Sequence, residues 1–391
     1  MKKENNNGFI HLIVYLIVFA VFVITVTACL EILDLIELPE KYSVTNWIKN
    51  NIMQDVENAE NDVNTNRKVK IEIENPFEES SSMTVKPVVN PYSGTTNKSE
   101  ITDSYENFMY YNQLDYYGKI IYSEVEKNLE NMKSGDYLID FGTTFDDLLH
   151  EESGEETLNE SFQLAINAIS FDHPDIFYVD ISKLYLLTKI TTKLWDTTYT
   201  VQIGGNNGQN YLNSSFVNKN EVNYAFEQIE REKNIIKSGL SGSVENKIKG
   251  VHDYLVTNLE YDATVSKDNV YNLYGALINK STVCEGYSRA FKYIMDDMGI
   301  PCIIACGTAI NSMGELENHA WNYVKIDENW YAIDVTWDDP FIIGNGRINP
   351  DLYYKYYLKG SEEFFQNHTE NGNIVGDANF KYPSLSLSNY Y

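Results

Sequence analysis

Basic charge is what this chain has least of. Lysine and arginine number 30 against 57 acidic residues, for a formal net charge of -27, and only four of the 30 are arginines. Nucleic-acid binding needs a basic surface, so this balance excludes that class of partner. It also excludes charge-driven docking on anionic lipid headgroups. The acidic excess reads as a solvated surface. Cysteine is scarce as well, with residues at positions 29, 284, 302 and 306 only. Cys302 and Cys306 share the apolar run PCIIACG. As a strand its four-residue step spans about 13 Å, beyond disulfide reach, so both read as small buried hydrophobes. Metal-binding spacings are missing too: no HExxH, no paired CxxC, no calcium-loop pattern. Gly204, Gly205 and Gly208 lack the lysine-serine pair of a phosphate-binding loop. No repeat is present. No metal and no cofactor are expected.

What the chain does have begins with one long apolar run, Phe9 to Leu30. A helix of this length crosses about 30 Å of hydrocarbon. Lys2 and Lys3 precede it and Glu31, Asp34 and Glu37 follow, so the positive-inside bias places everything after Leu30 outside. The expectation is a single-pass membrane anchor with the bulk of the chain extracellular. The ending Val26-Thr27-Ala28-Cys29 also resembles a lipobox, whose cleavage would leave a lipoprotein anchored at Cys29. The length of the run and the apolar LEILDLIEL after it favour the uncleaved span.

Composition divides the rest. Residues 1–30 form the anchor or signal, and 31–102 are polar and aperiodic, a flexible spacer. Residues 103–238 mix helical spacing over Tyr116–Met132, Phe162–Ile169 and Val222–Ile236 with a short strand after His173-Pro174 and the strand-like runs LYLLTKI and TTYTVQI. This stretch reads as a smaller mixed α/β domain. Residues 243–391 form the last domain, opening on a helix capped by Ser243 or Asn246, with His252 on its apolar stripe as a core or surface histidine.

Chemistry concentrates in that last domain. Cys284 directly precedes EGYSRAFKYIMDDMG, where Tyr287, Ala290, Phe291, Ile294, Met295 and Met298 follow helical spacing. Cys284 therefore sits at a helix N-terminus, where free amides stabilise a thiolate and can hold an oxyanion. His319 opens a segment in which AWNYVKI and NWYAIDV flank Asp327-Glu328. A two-residue hairpin there pairs Ile326 with Asn329 and sets Asp334 opposite Trp321. His319 is two residues from Trp321, so it shares Asp334's face as a diagonal neighbour about 7 Å away at the backbone. A thiol, a base and an orienting carboxylate complete a nucleophilic set. Asp338 and Asp339 read as turn residues.

At the pieces VHDYLVTNLEYD, YNLYGALINKSTVCEGYSRAFKYIMDDMGIPC and NHAWNYVKIDENWYAIDVTWDDP, the sequence resembles the transglutaminase-core superfamily in the form common on bacterial cell surfaces. The resemblance covers roughly Ser243 to Pro340, with a weaker tail to Tyr391. It implies a papain-like α+β fold, with a cysteine-bearing helix packed on an antiparallel sheet. It places the catalytic set on Cys284, His319 and Asp334, and it implies a thioester acyl-enzyme formed on protein or peptide amides. Whether water or an amine then takes the acyl group is left open. No calcium signature of the animal crosslinking enzymes is visible, and Tyr271 and Tyr274 are candidates for completing the oxyanion hole. The competing expectation is a catalytically silent surface binding or scaffold protein on the same fold.

Overall fold

The computed structural model describes residues 67–74, 109–193, 196–339, 350–370 and 380–391. The apolar run at Phe9–Leu30, Cys29 and most of the spacer lie outside these residues. Among the described residues no helix is long and apolar enough to cross a membrane. Two compact units divide the chain, one holding 1–70 with 190–198, the other 71–189 with 199–391. The larger unit carries the chemistry.

Within the stretch read as spacer, Arg67–Glu74 forms a strand, β1. It edges a four-stranded sheet in the order β1-β3-β4-β2, where β2 is Ile139–Gly142, β3 is Tyr185–Lys193 and β4 is Asp196–Gly204. The helix over Tyr116–Met132, α2, follows a short α1 (Tyr110–Gln113), and Asp115 caps it by accepting the Gly118 N–H at 2.7 Å. Its buried stripe is Ile121, Tyr122, Val125 and Met132. After α3 (Asp146–Leu149), helix α4 runs from Gly154 to Asp172, longer than its core spacing alone marks. The short strand expected after His173-Pro174 does not form. Only an isolated bridge between Val179 and Leu212 remains. Proline leaves no amide for a ladder there, and tight turns take up the chain.

Helix α5 spans Lys219–Ser238 and α6 spans Val244–Asn258, capped by Ser243. A two-stranded parallel ladder joins β5 (Glu260–Tyr261) to β6 (Ser281–Thr282), and α7 follows at once over Cys284–Asp297. Helix α7 buries Tyr287, Ala290, Phe291, Ile294 and Met295, the i, i+3, i+4 pattern of one apolar stripe. Gly299 ends it at φ +67, a left-handed conformation that glycine takes without strain, with the Ile300 N–H donating back to Met295 O at 3.0 Å.

Helix α7 packs on an antiparallel sheet in the order β10-β7-β8-β9, made of β7 (Cys302–Ile310), β8 (Leu316–Ile326), β9 (Asn329–Ile333) and β10 (His368–Glu370). A short α8 (Ser361–Phe364) precedes β10. The β8–β9 register pairs Ile326 with Asn329 and Asn322 with Ile333, as the two-residue turn predicts. Asp327 accepts φ +53 to close that turn, a conformation aspartate tolerates better than most residues. The buried Asn322 amide ties sheet to helix by donating to Ser288 O at 3.0 Å.

The stretches 103–238 and 243–391, expected as separate domains, share one hydrophobic cluster. The Tyr110 hydroxyl donates to Ile304 O on β7, and the Arg289 guanidinium donates to Ser170 O on α4 while lying 5.4 Å over the Phe171 ring. Glu285 on the same helix meets the guanidinium's charge at 2.8 Å, and the further donation to Ser170 O ties α7 to α4.

Candidate active site

Cys284 is the first residue of α7 and is half-buried. The residue before it, Val283, offers no side-chain acceptor, so no side chain caps the first turn. Its amides are therefore free to face an anion beside the sulfur. Gly286 lets the strand before the helix come this close: a Cβ there would stand 1.8 Å from Thr282 Oγ1. The Tyr287 hydroxyl donates to Asp339 Oδ2 at 2.5 Å and pins the helix start to the loop after β9.

His319 lies on β8, opposite Gly307 of β7, and is buried. Its Nε2 donates to Asp334 Oδ2 at 2.7 Å. The Cys284 side chain also interacts with the imidazole, and with Nε2 committed to Asp334 the other ring nitrogen is Nδ1. The Trp337 ring stacks on the imidazole at 4.8 Å and 28°, and the Trp337 N–H donates to Asp334 Oδ1 at 3.1 Å. One β-turn thus holds both the ring's lid and its carboxylate. Burial alone would lower the His319 pKa. The charge and hydrogen bond of Asp334, then Cys284, overcome it and hold the imidazole well above its ordinary value. Burial would likewise raise Asp334, yet His319 and His368 hold its carboxyl well below the usual range.

His368 carries no signal in the sequence, being a lone histidine in a short edge strand. It is buried on β10, and its Nε2 reaches Asp334 Oδ2 at 3.1 Å. His319, Asp334 and His368 form the one group among the described residues whose donor atoms cluster closely enough for a metal, all within 4.8 Å. The two nitrogen–oxygen separations are hydrogen-bond lengths, whereas two ligands of one zinc stand about 3.3 Å apart given ~2.0–2.1 Å bonds. The cluster is built for shared protons.

The two tyrosines separate. Tyr271 is half-exposed and interacts electrostatically with Cys284 and Glu285. Tyr274 packs its ring at 5.3 Å from Phe216 and 6.0 Å from Phe177, and its hydroxyl donates to Gln228 at 3.3 Å. It is a partly buried aromatic packed against the core. Tyr261, passed over in the sequence because it ends a helix-to-strand connection, does interact with Cys284. Beside Glu285 and Tyr271 lies a cavity of about 260 Å³, walled by apolar residues such as Ile166, Ile169, Phe177 and Leu184.

His252 and Asp338 prove to be fully buried partners, His252 Nε2 standing 3.1 Å from Asp338 Oδ2. Cys302 and Cys306 are buried in β7, where burial pushes both thiols up, Cys306 far above its ordinary value.

Residues 233–335 match the model of the Transglutaminase-like superfamily, so the chain carries a transglutaminase-like domain. The kyphoscoliosis peptidase of Mus musculus is 23% identical over 144 residues, 32% of this chain and 22% of that protein. The Homo sapiens protein of the same name is 24% identical over 153 residues, 34% of this chain and 22% of its own length. The chain therefore spans about a fifth of these relatives. A solved crystal structure of a TGase overlaps 41% of this chain and 46% of its own, at 18% identity and a TM-score of 0.27.

Proposed function

We propose that the chain is a cysteine acyltransferase or hydrolase acting on protein or peptide amides, with Cys284 as nucleophile, His319 as base and Asp334 as orienter. The observation that carries this reading is the 2.7 Å bond between His319 Nε2 and Asp334 Oδ2, with the Cys284 side chain interacting with the same ring. Asp334 fixes the proton on Nε2, which leaves Nδ1 to accept the thiol proton. The thiolate then attacks the amide carbonyl. A carbon–sulfur bond forms, the carbon–nitrogen bond breaks, and the amine leaves with the proton held by His319. The amides of the first turn of α7, with Tyr271 as the candidate side chain, face the developing oxyanion. Water or an amine then attacks the thioester, with His319 taking its proton.

The relatives named peptidases favour hydrolysis as the second half-reaction. The test is incubation with casein and a labelled primary amine, reading incorporation against fragmentation, beside the rate of Cys284 alkylation by iodoacetamide. Alkylation near neutral pH much faster than that of free cysteine is expected. A folded protein whose Cys284 reacts at the ordinary rate refutes the reading. The apolar run Phe9–Leu30 supports a membrane-tethered protein with this site outside. Protease accessibility of the last domain on intact cells tests that placement, and protection would refute it.

A further inference from the structure

We propose that His368 is a positioning residue of this site, donating a second hydrogen bond to Asp334 that fixes the carboxylate and shares out its charge. The proposal rests on the triad reading above. Its ground is the convergence of two imidazoles on one oxygen: Asp334 Oδ2 lies 2.7 Å from His319 Nε2 and 3.1 Å from His368 Nε2. An ionised carboxylate only accepts, so both rings must present an N–H at Nε2. The same oxygen thus dictates the tautomer of both rings.

The surroundings leave His368 no other task. It lies flat on Phe364, with centroids 4.0 Å apart and planes at 18°, and Trp337 stands 4.8 Å away at 55°. Its Nδ1 lies 2.9 Å from Asn367 Oδ1, and Asn367 Nδ2 lies 2.8 Å from the Tyr356 hydroxyl. A neutral Nε2–H ring accepts at Nδ1 when the amide is turned end for end, so that Nδ2 donates to the ring and the Tyr356 hydroxyl donates to Oδ1. It is 1% exposed and cannot touch a substrate directly. What it reaches is the carboxylate. Asp334 then accepts three hydrogen bonds, from His319 and His368 on Oδ2 and from the Trp337 N–H on Oδ1, which together hold it in place when the imidazolium forms.

The electrostatic consequence has a sign. A hydrogen bond to a carboxylate withdraws negative charge from it. With His368 in place Asp334 stabilises the His319 imidazolium less than a singly bonded carboxylate would. The base is kept from becoming too strong to return its proton. The groups that face this row are Cys284 from α7, Cys306 from β7, Glu317 and His319 from β8, Asp334 and Asp338 from the turn after β9, His368 from β10, Tyr356, Tyr271, and Tyr261 from β5. Of these, His368 alone shares the oxygen that holds His319.

The experiment follows Cys284 alkylation against pH in the wild-type chain, His368→Phe and His368→Gln, with turnover on a peptide amide. Phenylalanine keeps the stack on Phe364 and removes the donor, while glutamine supplies an amide N–H near the Nε2 position. His368→Phe should move the alkaline limb, where the imidazolium deprotonates, upward by up to about one pH unit. It should also lower kcat roughly tenfold at little change in KM, and His368→Gln should restore much of both. A limb unmoved in a folded His368→Phe variant overturns the proposal. Nitrogen-15 histidine spectra of the wild-type chain give an independent check that needs no variant: His368 must show the Nε2–H tautomer, and an Nδ1–H tautomer overturns the proposal. A wild-type chain without an accelerated thiol overturns the underlying triad reading instead, so the two failures are told apart.

Discussion

Two buried histidine–aspartate pairs stand side by side in this fold, their carboxylates four residues apart at Asp334 and Asp338, with the Asp338 N–H donating to Asp334 O at 3.1 Å. Both rings use Nε2 toward their aspartate, at 2.7 Å for His319 and 3.1 Å for His252. They differ in what lies beyond. The His319 ring also interacts with the thiol at a helix start. His252 turns Nδ1 toward Asp253 at 3.1 Å and packs under Tyr354 and Tyr357. The carboxylates differ as well. Two histidines hold Asp334 below its usual range, whereas burial pushes Asp338 up to about 6 against a single histidine partner. A buried histidine–carboxylate pair is therefore a scaffold motif by default. It becomes chemistry only where the far nitrogen meets a nucleophile.

The sharpest break in the comparison is Cys284→Ala. It should abolish amide turnover, a loss on the order of 10⁴-fold or more, with folding intact, as single-turnover assays and thermal melts would show. Asp334→Asn comes next. An amide can present its N–H to Nε2 and force the wrong tautomer, for a drop of about 10³ to 10⁴ in kcat. A fall of less than tenfold would mean the pair does not orient the base.

His252→Ala should do the reverse. It strands Asp338 in the core and should cost about 3 to 5 kcal/mol of stability by denaturant titration, while the pH profile of Cys284 alkylation stays in place. A shifted profile would show that the two pairs are coupled. Tyr271→Phe should lower kcat about tenfold or less, and Tyr274→Phe should leave it unchanged. Equal effects would dissolve that distinction.

The smallest effect concerns pH. Asp338 and His252 are both raised in the folded chain: burial dominates at Asp338, and at His252 burial is outweighed by Asp253 and Asp338. A raised folded pKa contributes stability that is fully present below the unfolded value and is lost as pH rises through the folded one. The Asp338 contribution should fall between about pH 4 and pH 6, and the His252 contribution only above about 6.5. Asp338→Asn should flatten the slope in urea midpoints taken at about pH 4 and pH 6. Asp334, being lowered, has the opposite sign. Its contribution is present above the unfolded carboxylate value, near 4, and is lost as pH falls below it.

Local pattern carried much of this architecture into view. The α2 limits, the helix opening at Cys284, its glycine stop and the β8–β9 register follow from short-range rules of period, capping and turn length, which act over a few residues. The same rules set His319 and Asp334 on one face, because side-chain alternation along two paired strands is arithmetic once the turn is placed. The strand at Arg67–Glu74 escaped notice because its sequence, RKVKIEIE, is rich in charge and its partners lie more than a hundred residues away. The expected short strand after Pro174 failed for the converse reason, with β-forming residues but no long ladder to join. The domain bounds drawn at 238 and 243 follow local composition, whereas Tyr110 and Arg289 cross them through contacts spanning 194 and 119 residues.

The amino-acid order by itself determined where each functional group sits on its own element: the thiol on the first turn of a helix, the imidazole and carboxylate on one face of a hairpin. Tertiary structure alone decided which groups meet. His368 comes to share an oxygen with His319, His252 is spent on Asp338, and Tyr274 packs on Phe177 and Phe216 while Tyr261 interacts with Cys284. Period and capping act through neighbours in the chain, whereas these choices depend on β10 adding to the sheet edge and on loops closing over distances that no local pattern encodes.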